Sequence, residues 1–461
     1  MDQKLLCIFL RGGYDATNSF IPNGDSAYNI TNRPSLYIPP AHSLAVTGSS
    51  FTRLNPALHP LLPLLNNGRA IVAHAVGNPA RTGSHFEDQR TWETTVTGCT
   101  PTSTDPEEGW MTRVVSDVLP GSGFQAASVS NGMQQLFRTR IRNGSFNPAR
   151  VLPHIKAVRD FPADATSLYS LSTGNSTLDD KLIGDTTGAF PYGLKALYNG
   201  GSQPTHDKDA FARAVGEAML DSEEKVSVLP NPYVPGNGAL YPFGHPVDTN
   251  FPLPSTVGLL TDSTNTRRFF MYLRDAMMML RSIPEVKVVG IEIGGWDTHA
   301  NQGSLDAMNA PEGQLAELLE AVAYGIAQVD KEAQGPLFAS TDLTTMVISE
   351  FGRTSSENST AGTDHGGATS IWMAGSRVRK NGANPFYNDG TSWPGLYSAN
   401  NQDFGCSPTS TPNKYFVNMV TDFRAIFAEV LRDLFGATTA QIDTVIPGYS
   451  ALGLTELNCI T

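Results

Sequence analysis

The sequence has few cysteines, no long apolar run and no excess of positive charge, and each shortage excludes a class of protein. Four cysteines in 461 residues are too few for a disulfide framework, and none forms the CxxC spacing of a zinc site. No stretch reaches the roughly 18 consecutive apolar residues of a membrane-spanning helix. A net charge of −12 without a basic stripe argues against a sequence-independent grip on nucleic acid. We therefore expect no membrane span and no nucleic-acid partner.

The chain alternates strand-like and helix-like segments. Strands are predicted over residues 5–10, 70–74, 286–293 and 344–348, and helices over 85–95, 109–118, 266–282, 313–333 and 422–435. Continuous apolar strands suit a parallel sheet that is covered on both faces. The pattern predicts an α/β fold, a three-layer α/β/α sandwich with a largely parallel sheet, as a single domain over residues 1–461.

Two regions interrupt this pattern with loop-rich insertions. Residues 120–254 are rich in Gly, Pro, Asn and Ser and contain one helical stretch at 208–220, and a second loop-rich region covers 381–413. Long irregular segments in compact folds are often lids or caps, so the first region is predicted to be an insertion or cap. A surface elaboration without a role in the chemistry is the alternative. Cys406 and Cys459 lie in polar surroundings and can pair if the compartment is oxidising.

Acidic residues and histidines follow the predicted strands. They are Asp15 after the first strand, Asp297 and His299 after VVGIEIGGW, Glu350 after TTMVIS, and Asp364 with His365 shortly downstream. The carboxyl ends of parallel strands meet in one crevice, so these side chains are expected to converge. Carboxylates and imidazoles together predict a site for one or two divalent cations, Zn, Mn, Mg or Ca.

Each of these residues also has a structural alternative. Asp15 can cap the segment that follows the Gly12-Gly13 turn. His299 can be a structural histidine, and Glu350 can form a surface ion pair with Arg353. Arg353 is otherwise placed to clamp an anionic substrate through two hydrogen bonds.

The segment RTGSHFE stands directly before a predicted helix. Ser84 and Glu87 fit a capping box, which explains both residues without catalysis. The N-terminus of a helix also favours an anion, so Ser84 there would serve as a nucleophile toward a phosphate or sulfate ester. Capping alone and capping combined with nucleophilic attack both stay open, and Arg81 is a second candidate to hold the non-bridging oxygens of the ester.

Six motifs in this order resemble the bacterial family of domain of unknown function 1501. They are FLRGGYDATNSFIP, TGSHFEDQRTWET, GGWDTHANQ, ISEFGRTSSENSTAGTDHGG, WPGL and TDFRAIFAEVL. The resemblance implies an alkaline-phosphatase- and sulfatase-like fold that usually holds two divalent cations. It implies Asp15 as a ligand from the first strand, Ser84 as the nucleophile, Asp364 with His365 as a ligand pair and Asp297 as the second-site aspartate.

The sequence departs from the superfamily pattern at several positions. Alkaline phosphatases carry a histidine four residues after the second-site aspartate, whereas here Asn301 stands there and the histidine is His299. No histidine follows His365, which weakens the second metal site. Cys99 and Cys406 begin CTPTS and CSPTS, which lack the arginine of the formylglycine sulfatase motif.

The resemblance implies a metal-dependent hydrolase that cleaves small or polymeric anionic esters through a serine intermediate. A non-catalytic extracytoplasmic binding or scaffold protein with an incomplete metal site is the alternative, and attack by water instead of Ser84 is a third possibility. Relatives commonly carry a twin-arginine export leader, and this chain begins where their mature domain does. A periplasmic or secreted location is therefore expected.

Overall fold

A computed structural model describes the sheet, its covering helices and the loops between them. The described residues are 2–97, 108–121, 123–138, 152, 154–155, 225–226, 229, 263–335, 338, 341–396 and 416–461. Most of the predicted insertion at 120–254, its helical stretch at 208–220 and part of the loop region at 381–413 lie outside them. Cys99 and Cys406 lie outside them too, so the predicted Cys406–Cys459 pairing stays a prediction.

The strands are β1 Asp2–Arg11, β2 Phe20–Pro22, β3 Leu44–Ala45, β4 Thr52–Leu54, β5 Ala70–Gly77, β6 Ala126–Val129, β7 His154–Ile155, β8 Val288–Gly294, β9 Thr341–Ser349, β10 Thr369–Gly375, β11 Phe386–Tyr387 and β12 Thr421–Asp422. The α-helices are α1 Ala16–Ser19, α2 Leu62–Asn66, α3 His85–Thr94, α4 Trp110–Asp117, α5 Thr264–Ser282, α6 Gly313–Ala333, α7 Phe423–Glu429, α8 Thr439–Val445 and α9 Tyr449–Leu452. A π-helical turn, Val430–Leu434, continues α7. Short 3₁₀ helices cover Pro40–His42, Pro56–Leu61, Gln135–Phe137 and Gly390–Ser392.

The central sheet is mainly parallel. Its strand order is β11-β5-β10-β9-β1-β8-β6-β7, with β12 also paired to β5. Strand β1 is parallel to both β8 and β9, and β6 is parallel to β8. Strand β10 is antiparallel to both of its neighbours, β5 and β9. Consequently β1, β5, β8 and β9 all end at the same edge of the sheet, and β10 begins there.

Strand β1 shows how the sheet is buried on both faces. Leu6, Ile8 and Leu10 belong to one apolar cluster with side chains of α5 and α6, whereas Leu5 and the residues alternating with it belong to another with side chains of α3, α4, α7 and α8. Alternate residues of a strand point to opposite faces. Both faces of β1 are therefore covered by apolar side chains, as a continuous apolar run predicts.

The predicted α/β class and the main predicted elements are confirmed. Strands β1, β5, β8 and β9 and helices α3 to α7 lie within a few residues of their predicted positions. Strand β10 is absent from the predicted set, although TSIWMAG is buried throughout. It is a central antiparallel strand, and a short apolar run does not by itself distinguish such a strand from other buried segments. Within the described residues, no helix has both the length and the apolar character needed to cross a membrane.

Candidate functional site

The loops at the carboxyl ends of β1, β5, β8 and β9 meet at one edge of the sheet, together with the loop before β10. The β1 and β8 loops approach each other closely. Gly12 has a φ of +125°, and a Cβ there would lie 2.5 Å from the backbone nitrogen of Asp297. Only glycine adopts this conformation without strain and leaves room for the neighbouring backbone. The Gly-Gly turn after β1 therefore lets two loops of the site touch.

Arg353 connects these loops from a fully buried position. Its Nε donates to the Gly13 carbonyl, its Nη1 donates to the Thr363 carbonyl at 3.1 Å, and its Nη2 donates to the Trp296 carbonyl at 3.0 Å. The same Nη2 contacts the Asp297 carboxylate. All three guanidinium nitrogens thus hold protein oxygens. In this structure Arg353 positions the β1, β8 and β10 loops, and its predicted role as an anion clamp stays a prediction.

Three histidines of the site share one arrangement, in which an oxygen acceptor holds the Nδ1 atom. His85 Nδ1 lies 2.9 Å from Glu350 Oε1, and His365 Nδ1 lies 2.7 Å from the Gly83 carbonyl oxygen. His299 Nδ1 lies 3.0 Å from an oxygen of Asp364. A carbonyl or carboxylate oxygen only accepts, so each Nδ1 carries the proton. Each neutral ring then presents the unprotonated Nε2 on its other side, as metal-ligating histidines do.

The three Nε2 atoms lie around the carboxylate of Asp297. Asp297 Oδ1 is 3.0 Å from His299 Nε2 and 3.3 Å from His365 Nε2, and Oδ2 is 3.4 Å from His85 Nε2. The Nε2 atoms of His299 and His365 are 3.1 Å apart. Bonds of about 2.0–2.1 Å at tetrahedral angles place neighbouring ligand atoms roughly 3.3 Å apart. The spacing is therefore that of atoms which can share one cation.

His85, Asp297 and His365 form the tightest part of this group. Their ligand atoms all lie within 4.8 Å of one another, and His299 lies against two of the three. The Nε2 atom of His85 is buried and has no hydrogen-bond partner within the described part of the chain. Two unprotonated Nε2 lone pairs facing each other at His299 and His365 repel unless a positive charge lies between them. Both features fit a cation-binding site.

The protonation of the group follows from its neighbours. The hydrogen bond that His85 donates to Glu350 and the charge of that carboxylate raise the pKa of His85 above its ordinary value. Burial acts to raise the pKa of Glu350, but hydrogen bonds from His85 and Gln89 hold that pKa below its ordinary value. Burial lowers the pKa of His365, and the positive charges of His85 and Arg353 lower it further. Without a cation, His85 therefore becomes charged at a higher pH than His365.

Asp297 stays ionised and partly open to solvent. Burial opposes its ionisation, yet the hydrogen bond and the charge of Arg353 keep the pKa of Asp297 below its ordinary value. Its side chain is 45% exposed, as is that of His299. A ligand can therefore reach the group from solution.

Asp15 has a different environment from the other predicted ligands. Its carboxylate is fully buried and forms an ion pair with Arg33, with Nη1 2.5 Å from Oδ2. Gln302 donates to the same oxygen at 2.9 Å, and the backbone of Asn18 donates to the other oxygen, which caps α1. The capping alternative is thus confirmed. A cation at Asp15 would have to displace the Arg33 guanidinium.

Ser84 lies between two residues that contact the cluster. It is the N-cap residue of α3, as predicted, but its side chain makes no capping hydrogen bond, so the predicted capping box with Glu87 is wrong. The carbonyl of the preceding Gly83 accepts from His365, and the following residue is His85. The predicted nucleophile is therefore adjacent to the group through its two chain neighbours.

Two further predictions concern Arg81 and Glu350. Burial lowers the pKa of Arg81 to about 10, and its guanidinium stacks 4.3 Å from the centre of the Phe416 ring. Glu350 contacts His85 and not Arg353, so the structural alternative of a surface ion pair between Glu350 and Arg353 is wrong, and the predicted role of Glu350 as a metal ligand stays a prediction. Glu350 is buried and acts on the cluster through His85, as a carboxylate that orients a ligating imidazole does.

His85 is the residue of the group that sequence reasoning missed. The predicted helix start in RTGSHFE indicates Ser84, the residue directly before His85, as the functional candidate. A signal was present, since a histidine in the first turn of a helix that begins beyond a strand end lies at the same sheet edge as the other candidates. Its partner Glu350 is 265 residues away, so no local pattern links the two.

Comparison with known families agrees with the motif resemblance in part. Residues 261–384 match a family described as protein of unknown function (DUF1501), and this range contains Asp297, His299, Glu350, Asp364 and His365. The match supports the family that the motifs indicate. No curated protein matches the chain.

Replacing Arg33 by Met should destabilise the protein by about 3–5 kcal/mol, because Asp15 would remain as a buried charge without its partner. Urea unfolding of the metal-free protein measures the loss. Arg432→Met is the matched control, since it removes a partly exposed pair with Glu456 and should cost no more than about 1 kcal/mol. Equal stability of Arg33→Met and the control would contradict a structural ion pair, and rescue by a divalent cation would restore Asp15 as a ligand.

Replacing Glu350 by Gln should lower the pKa of His85, because the acceptor carboxylate is the main cause of its raised value. A raised folded-state pKa means that protonated His85 stabilises the metal-free protein at low pH and that this contribution is lost as the pH rises through that pKa. NMR titration of the imidazole in the metal-free protein measures the shift. Glu357→Gln, a change at a half-buried carboxylate that accepts from Ser35 instead of His85, is the control. An unchanged His85 titration in Glu350→Gln would exclude the ion pair.

Proposed function

We propose that this protein, part of which matches a family of unknown function, is a metal-dependent hydrolase of phosphate or sulfate esters. The proposal rests on the group of three histidines whose Nδ1 atoms are held by oxygen acceptors and whose Nε2 atoms lie around Asp297. The proposal includes a three-layer α/β/α sandwich of the alkaline phosphatase type. It also includes a periplasmic or secreted location, which rests on resemblance alone.

The donor set favours a particular kind of metal. His85, His299, His365 and Asp297 would offer three imidazole nitrogens and a carboxylate, with Glu350 and Asp364 holding two of the rings. Imidazole suits Zn²⁺ and related transition metals, whereas Mg²⁺ and Ca²⁺ prefer oxygen ligands. We therefore propose Zn²⁺ or Mn²⁺. A single cation is proposed, because the predicted first-strand ligand Asp15 is paired with Arg33.

The residues around the cluster suit the cleavage of an anionic ester. A cation held there would supply positive charge that stabilises the ester oxygens and lowers the pKa of a nearby hydroxyl. Ser84 stands at the N-terminus of α3, where backbone N–H groups and the helix dipole favour an anion. Its Oγ would form the bond to phosphorus or sulfur as the alcohol leaves, and water would then release the acid from the serine. Arg81 keeps its charge at neutral pH and is the arginine proposed to hold the non-bridging oxygens.

One observation favours a second function. Arg33 pairs with the buried carboxylate of Asp15, which the superfamily pattern assigns as a metal ligand. Such a pair is expected of a chain that has lost part of its metal site. The alternative is a non-catalytic extracytoplasmic binding or scaffold protein. Metal content and ester hydrolysis, measured together, separate the two functions.

Purified protein incubated with Zn²⁺ or Mn²⁺ and then dialysed should retain about one ion per chain and hydrolyse aryl phosphate or aryl sulfate. His85→Ala should weaken metal affinity at least roughly tenfold, because it removes a proposed ligand. His59→Ala, at an exposed histidine in the 3₁₀ helix Pro56–Leu61, is the control. Retained metal without hydrolysis would favour the binding protein, and wild-type affinity in His85→Ala would remove the proposed metal site.

Replacing Ser84 by Ala should lower kcat about a thousandfold or more while metal content is unchanged, because the nucleophile is lost and the ligands remain. Rapid quenching of the wild-type protein with a radiolabelled ester should trap a labelled serine that is absent from the variant. Full activity of Ser84→Ala would assign the attack to water. The metal ligands would keep their proposed role in that case.

A further inference from the structure

A cavity of about 370 Å³ lies beside the proposed metal site, along one face of α3. We call it the α3 pocket. The helix contributes Phe86, Gln89, Arg90 and Glu93, whose spacing places them on the same face. Residues 132–135 with Arg138 form the opposite wall, and Arg11 with Glu292, at the ends of β1 and β8, complete the lining. Its volume is at the lower end of the range for small-molecule sites.

The α3 pocket is joined to the metal site by short contacts. Phe86 directly follows the proposed ligand His85. Gln89 donates through Nε2 to Glu350 Oε1 at 2.9 Å, the same oxygen that holds His85. On its other side, Gln89 Oε1 accepts from Arg11 at 3.3 Å. A group bound in the pocket would therefore lie next to an ester bound at the metal.

The charges of the pocket are largely balanced. Arg11 pairs with Glu93 at 2.7 Å and with Glu292 at 2.9 Å, so two carboxylates surround the guanidinium. Arg138 donates to the side chain of Gln135, which belongs to the same wall of the pocket. Carboxylates in the lining repel a second anion, whereas arginines, amides and carboxylates together supply both donors and acceptors for hydroxyl groups.

Two features of the lining point to a ligand. Phe86 is 87% exposed, which leaves its ring face open to stacking. Beside it, Arg11 and Glu292 keep 18% and 24% of their side chains exposed, so a ligand can reach a hydrogen-bond donor and an acceptor. An open aromatic face beside such groups suits a ring that carries several hydroxyls.

We propose that the α3 pocket binds the alcohol part of the ester and that this alcohol is a sugar or a similar hydroxyl-rich ring. This inference rests on the proposed function, because it names the group that leaves when the phosphate or sulfate ester is cleaved. Phe86 would stack on the ring face, and the paired Arg11 and Glu292 would bind its hydroxyls.

The test separates sugar binding from catalysis. Saturation-transfer NMR on the full-length chain without added metal measures the binding of glucose, galactose and N-acetylglucosamine at millimolar concentrations. At least one of these sugars should bind, and Phe86→Ala should weaken that binding roughly five- to tenfold. Glu292→Leu, which removes an accessible carboxylate of the lining, should weaken it as well. Met308→Ala is the matched control, because Met308 is 84% exposed and lies outside the pocket.

Each outcome bears on one hypothesis. If a sugar binds and both pocket variants weaken that binding, the result supports the subsite, even if no ester is hydrolysed. The absence of hydrolysis would count only against the proposed hydrolase. Hydrolysis of aryl esters without binding of any of the three sugars would overturn the subsite and leave the hydrolase standing. Binding that is equal in Phe86→Ala and Met308→Ala, or binding of inorganic sulfate alone, would also overturn it.

Discussion

The candidate site depends on the buried guanidinium of Arg353. It donates to backbone carbonyls after β1 and β8 and before β10, and it contacts the Asp297 carboxylate. A buried arginine is stable only where its donors are paired, so the loops that supply those oxygens are held in one arrangement. The same contact keeps the pKa of Asp297 low and so keeps a carboxylate at the centre of the cluster.

The three histidines of the site also depend on the arrangement of these loops. Each Nδ1 is held by an oxygen from another loop: Glu350 for His85, Asp364 for His299 and the Gly83 carbonyl for His365. These contacts select the tautomer and orient the rings before any ligand arrives, and such preorganisation raises the affinity of a metal site. The α3 pocket extends the network, because Gln89 joins Glu350 to Arg11.

Much of the fold was predictable because the strong signals are local. Strands β1, β5, β8 and β9 are apolar runs bounded by turns, and α5 and α6 are long helices with apolar faces. The position of the site followed too, since parallel strands of one sheet end at one edge. Strand β10 was missed because its sequence resembles any short buried segment, and its antiparallel pairing with β5 and β9 is a property of the assembled sheet.

The sequence by itself determined which loops form the candidate site, because apolar periodicity and glycine turns act over a few residues. It selected Asp297, His299, Asp364 and His365, all of which lie in or against the cluster. Only the tertiary structure decided the partners of the side chains. Asp15 pairs with Arg33, and His85 contacts Glu350, which is 265 residues away in the sequence. Ion pairs and hydrogen bonds depend on distances of about 3 Å between side chains, and such distances exist only once the sheet has brought the loops together.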